Sequence, residues 1–136
     1  MKVTGTAINA EPPPTTTACT RAFAGHPESV SAARAWVTGF VPGSPAADDV
    51  ALLASELVTN AILHSASRLP DGQVTVSIQA ADGMVRVDVT DQGELPPCFP
   101  QCPGLGQGLA LVAALADVFG ADGPDRWFAV RTGGAR

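Results

Sequence analysis

"QVTVSIQAADGMVRVDVT", residues 73–90, decides the architecture of this chain. Val74, Val76 and Ile78 occupy alternate positions in its first half, and Val85, Val87 and Val89 do so in its second. A period of two puts each set on one face of a strand. Between them "AADG" supplies the turn of a hairpin, so the two strands lie antiparallel. Their apolar face needs a cover, and the flanking sequence supplies helices for it.

On the N-terminal side, Ser44 followed by Pro45 is a start signal for a long helix over about 46–66. Before it, "HPESVSAARAWVTGF" (26–40) predicts another helix, with Pro27 in its first turn and Val30, Ala33, Val37 and Phe40 recurring on one side. "VPGSP" (41–45) separates the two, and "CTRAFAG" (19–25) suits a short strand. On the C-terminal side a loop rich in Pro and Gly covers 91–108. "LALVAALADVFG" (109–120) then reads as a helix closed by Gly120, and "RWFAVRT" (126–132) as a last strand. Helices beside a hairpin-based sheet make an α+β fold, a two-layer sandwich whose mostly antiparallel sheet is covered on one face. It lacks the βαβαβ alternation of a doubly wound parallel sheet. Residues 1–17, with "EPPPTTT", read as a flexible leader, and 18–136 as one domain.

Composition narrows the function. The 136 residues suffice for one core. A net charge of -5 with scattered Lys and Arg offers no basic face for phosphates, which argues against direct nucleic-acid binding. No run of about 18 apolar residues and no signal pattern occurs, so neither membrane nor secretion is expected. Cys19, Cys98 and Cys102 are an odd number without disulfide-framework spacing, which suits reduced thiols in a cytoplasm. With His26 and His64 they match no common zinc pattern.

Three stretches carry chemistry. In "SELVTNAILHS" (55–65) the helical turn places Val50, Leu53, Ala54, Leu57, Val58 and Ala61 in one broad arc. Glu56, Asn60 and His64 form a stripe beside that arc, at about 240°, 280° and 320° from Val50. Leu52 and Leu63 flank the stripe, while Ser55, Thr59 and Asp48 occupy a solvated wedge. A carboxylate among leucines is costly unless it meets a cation, a metal or donors. With an amide oxygen beside it, it is also a hard-oxygen set of the kind that holds Mg²⁺ next to a phosphate. "TDQG" (90–93) ends a strand in Asp91, able to accept from an exocyclic amine, and in Gly93, which lets backbone approach a flat ring. "GLGQGLALV" (104–112) sets three glycines before a helix, where amides and the helix dipole receive phosphates. It is neither a Rossmann fingerprint nor a Walker loop. Taken singly, each stretch also has a structural explanation: a helix-margin Glu and Asn, an Asp-x-Gly turn, a helix-start loop.

Together and in this order, the stretches resemble the N box and two glycine boxes of the histidine-kinase-like ATPases, the group of gyrase, heat-shock chaperones and MutL with the Bergerat-type ATP-binding fold. The likeness is greatest to the small anti-sigma-factor serine/threonine kinases and their actinobacterial relatives, in which an "AR" pair, here Ala33-Arg34, precedes the N box. It spans about residues 20–132. The resemblance implies that Glu56 is the general base, Asn60 the Mg²⁺ ligand, and Asp91 the adenine-reading carboxylate with Gly93 beside the base. Gly104, Gly106 and Gly108 would form the phosphate-binding turn of ATP. It also implies an anti-sigma-factor antagonist as substrate, a sigma factor as second partner, a homodimer and a cytoplasmic location. The sequence departs from the pattern at Glu94, where a second glycine is usual, and at Gln107, a place often basic. The loop from 93 to 104 has no Lys or Arg, and Arg126 stands about where relatives have a Thr near adenine. Two functions stay open on this basis: a kinase using ATP and Mg²⁺, or a non-catalytic module of the same fold that binds ATP or sequesters a partner. A histidine kinase fragment is disfavoured, because no phosphoacceptor-helix domain is present.

Overall fold

The computed structural model describes residues 17–94 and 106–132. Five strands and three α-helices follow in the order β1 (Thr17–Ala24), α1 (Ser29–Thr38), α2 (Ala47–His64), β2 (Gln73–Ala81), β3 (Met84–Thr90), α3 (Gly106–Leu115), β4 (Val118–Asp122) and β5 (Asp125–Arg131). A single 3-10 turn, Ala66–Arg68, joins α2 to β2. The strands form one sheet in the order β1-β2-β3-β5-β4, antiparallel throughout. This is the α+β two-layer sandwich that the hairpin pattern predicts. Of the N-terminal segment, residues 1–16 lie outside the described residues, and Thr17 opens β1.

The central hairpin closes as its sequence dictates. Asp82 and Gly83 both adopt positive φ, 55° and 76°, the mirror-image turn whose twist matches the flanking strands. Ala81 pairs with Met84, and the register then sets Ile78 opposite Val87 and Val76 opposite Val89. Val74, Val76, Ile78, Val85, Val87 and Val89 are all buried, under α2. Phe128 and Val130 of β5 extend this apolar floor, and Phe23 adds to it from β1.

Helix α2 lays Val50, Leu53, Ala54, Leu57, Val58 and Ala61 on that floor, as its periodicity predicts. Helix α1 packs on α2 through Ala33 and Val37 and begins at Ser29, with Pro27 in the turn ahead of it. Trp36 meets Phe23 and Phe40 edge to face, with ring centroids 6.0 and 5.1 Å apart. This packing overturns one expectation for the helix wheel. Ser55 is buried, not solvated: α1 covers it, Arg34 donates to its Oγ at 3.2 Å, and the hydroxyl donates to the Ala51 carbonyl. Leu52 is the exposed member of the turn.

The C-terminal third holds a second correction. The helix predicted over 109–120 ends at Leu115, and Val118–Asp122 is an edge strand paired with β5. Gly120 does not close a helix. It lies opposite Trp127, where an added Cβ would sit 2.8–2.9 Å from the indole. The apolar run "LALVAALADVF" fits helix and strand alike; Val118 and Phe119, followed by the two-residue turn Gly123-Pro124, tip its end towards strand. No helix among the described residues is long and apolar enough to cross a membrane.

Candidate nucleotide-binding site

The end of α2, the β3 terminus and β5 meet at one edge of the sandwich. A small cavity of about 40 Å³ there is lined by Leu57, Asn60, Ala61, His64, Val89, Asp91 and Arg126. The structure thus brings together Asn60 and Asp91, 31 positions apart in the chain. A larger cavity of about 360 Å³ adjoins it, with His64, Asp91, Gly93, Glu94 and Arg126 on its walls. A third, about 340 Å³ and mostly apolar, lies between Leu57, Val112, Phe119 and Trp127, with Arg126 again on its wall.

Asp91 is held by its own loop. Its backbone N–H donates to the Pro124 carbonyl, and its Oδ1 accepts from the Gly93 N–H at 2.8 Å. Gly93 has φ 92°, a conformation that a side chain would strain. Its carbonyl accepts from the Ala66 N–H at 2.8 Å, and the Gln92 N–H donates to the Ser67 hydroxyl at 3.1 Å. Ser67 is fully buried and donates onward to the Gln73 carbonyl. The 3-10 turn after α2 therefore fixes the loop that carries Asp91 and Gly93.

Two polar atoms of residues at the site lack strong partners. His64 Nε2 is shut from solvent without a hydrogen-bond partner among the described residues. Asp91 Oδ2 lies 3.6 Å from Arg126 Nη1, beyond hydrogen-bond length, although its side chain is only 11% exposed. An acceptor oxygen of a residue that lines these cavities fits a ligand with an exocyclic amine, as adenine has. For a metal, no group of three or more His, Cys, Asp or Glu comes together among the described residues. A Mg²⁺ carried mainly by phosphates and waters needs only one or two protein oxygens, and Asn60 offers one.

The remaining candidates are placed less fully. Glu56 is half-buried, one turn ahead of Asn60 on α2, and lines none of these three cavities. Gly106 and Gly108 lie in the first turn of α3, a helix that packs against α2. Gly104, Cys98 and Cys102 lie outside the described residues; Cys19 is a free, exposed thiol. Ser67 escaped the sequence reading, since a serine in a one-turn helix follows no periodicity. The ion pairing of Arg126 with Asp91 escaped it too.

Comparison with known proteins agrees with the fold. A family model described as a histidine kinase-like ATPase domain matches residues 23–126. A protein named anti-sigma F factor from Geobacillus stearothermophilus is 36% identical over 75 residues, 52% of this chain and 51% of that protein. The anti-sigma F factor of Clostridium botulinum (strain Eklund 17B / Type B) is 26% identical over 110 residues, 70% of this chain and 77% of that protein. The chain spans about half the length of the Geobacillus relatives it matches. With more than half of its residues under the family model, the chain belongs to the histidine kinase-like ATPase domain family.

Proposed function

We propose that this protein is an ATP-dependent regulator of the anti-sigma-factor kind, a serine/threonine kinase whose substrate is an anti-sigma-factor antagonist and whose second partner is a sigma factor. The carrying observation is the convergence of Asn60, Asp91 and His64 on one small cavity beside the Gly93 loop. Asp91 would accept from the adenine amine and Gly93 would lie along the base. Asn60 would hold Mg²⁺, and the glycine turn of 104–108 would receive the phosphates at the start of α3. Bound ATP supplies the phosphoryl group, and Mg²⁺ neutralises its charge. The work left to the chain is to orient the nucleotide and to take the proton of the attacking hydroxyl, a task assigned to Glu56. A cytoplasmic location and a homodimer complete the proposal.

A second reading, a non-catalytic module that binds nucleotide and sequesters its partner, draws on one specific observation. Glu56 does not line the cavity that Asn60 and Asp91 share. Phosphorylation of the antagonist by the parent and by Glu56→Gln, at saturating ATP and Mg²⁺, separates the two. A kinase loses about 10²–10⁴-fold in rate on this substitution while keeping its ATP affinity. Silence in both proteins, with ATP bound, selects the module. Equal and robust rates in both would sink the role of Glu56.

A further inference from the structure

Arg126 occupies an unusual place for a cation. It sits on the sheet row that faces the helices, between Val89 of β3 and Ala121 of β4, both apolar. Its side chain is 39% exposed and reaches the walls of all three cavities at the site. Among the described residues its ion-pair partner is Asp91, at 3.6 Å from Nη1 to Oδ2. A carboxylate that is 11% exposed needs a counter-charge, and the partly solvated guanidinium supplies it. At 3.6 Å the two offset each other's charge without nucleotide, though without a hydrogen bond between them.

From this we infer that Arg126 is a gate on the site, competing with the ligand's exocyclic amine for Asp91 until it is displaced. The inference rests on the nucleotide reading of the site. Asp91 Oδ1 is already engaged by the Gly93 N–H, which leaves Oδ2 as the oxygen for an incoming donor. The Arg126 guanidinium is beside that same oxygen. An entering base must therefore break the pair, and its affinity is lowered by whatever the pair contributes.

Adenosine is the probe of choice, since it has the base but no charge. Titration calorimetry on the full chain compares the parent with Arg126→Met, which keeps much of the stem and removes the guanidinium, and with Arg126→Lys. A partly exposed ion pair corresponds to up to about a fivefold change, so Arg126→Met should bind adenosine up to about fivefold more tightly, and Arg126→Lys near the parent value. Salt gives a second readout, one that a packing role would not move. Raising KCl from about 50 to about 500 mM should tighten adenosine binding to the parent and leave Arg126→Met nearly unchanged. Arg126→Met binding no more tightly than the parent overturns the gate and leaves the nucleotide reading standing. If Arg126→Met does not fold, the salt series on the parent decides: a constant affinity overturns the gate. Absence of binding of both adenosine and ATP by folded parent and variants overturns the nucleotide reading, and the gate falls with it.

Discussion

Asn60 is the residue on which the proposed metal role rests, and its position separates binding from packing. It borders a cavity from the margin of α2, while the buried face of that helix is built from Leu53, Ala54, Leu57, Val58 and Ala61. Truncating it should therefore leave the core untouched. We expect Asn60→Ala to melt within about 0.5 kcal/mol of the parent, as for surface substitutions, and to lose the Mg²⁺-dependent part of ATP binding. ATP titrations with Mg²⁺ and with EDTA check this. An unfolded variant, or one whose affinity still responds to Mg²⁺ like the parent, would return Asn60 to an ordinary helix-margin amide. The proximity of Asn60 and His64 was legible because helical spacing alone puts positions four apart on one face. Their meeting with Asp91 was legible only through the family resemblance. The Arg126–Asp91 pair was not legible, for it depends on β3 and β5 lying side by side with Val89 opposite Arg126.

At the scale of elements, the 3-10 turn Ala66–Arg68 links helix, sheet and site. Ser65 ends α2 by donating to the Ala61 carbonyl at 2.6 Å while accepting from the Ser67 N–H. The Ser67 carbonyl lies so close to Gly25 and Gly72 that a Cβ at either would stand 1.8 or 2.0 Å from its oxygen. Backbone, not a flexible side chain, fills that space. Gly72→Ala should thus cost about 1–3 kcal/mol or more, as overpacking does, and should also weaken ATP binding because Ser67 holds Gln92 of the site loop. Gly83→Ala is the contrast, with open space around its Cβ and only a positive φ to strain it. Urea midpoints and ATP titrations of the two variants test the coupling: equal nucleotide affinity in Gly72→Ala and Gly83→Ala would break it. Such close approaches have no sequence signature beyond the glycines themselves. The hairpin of β2 and β3 was legible because alternation and turn chemistry agree over 18 residues. Strand β4 was not, because five residues next to an apolar helix carry too little periodicity to override it.

The sheet as a whole has two unlike faces, and the one away from the helices carries a linked set of charges. On it Arg86 grips Asp88 with two hydrogen bonds, at 2.7 and 3.0 Å, and stacks over Trp127 at 4.0 Å from the ring centroid. Burial and a hydrogen bond with Asp88 push the Asp125 carboxyl up to about 6, against a weaker pull from Thr90. Burial also pushes Asp88 up, but the hydrogen bonds from Arg86 and Asp125 outweigh it and hold that carboxyl below the usual range. The signs of the two are opposite. Asp125 binds its proton more tightly folded than unfolded, so its contribution to stability is full below the ordinary carboxylate value near 4 and is lost as pH rises to about 6. The contribution of Asp88 is present above that ordinary value and is lost only at more acid pH. Between pH 4 and 6, therefore, Asp125 is the group of this pair whose titration moves stability. Asp125→Asn keeps a donor for Asp88 and an acceptor for Thr90 at every pH, and removes the ionisation. We expect its stability relative to the parent to rise across pH 4 to 6 and then to stay level, with a gain of at most about 1 kcal/mol after solvent screening. Urea midpoints of both proteins at half-unit steps from pH 4 to 8 give the difference directly. A difference that does not change with pH would mean that Asp125 shares no proton with Asp88 on this face.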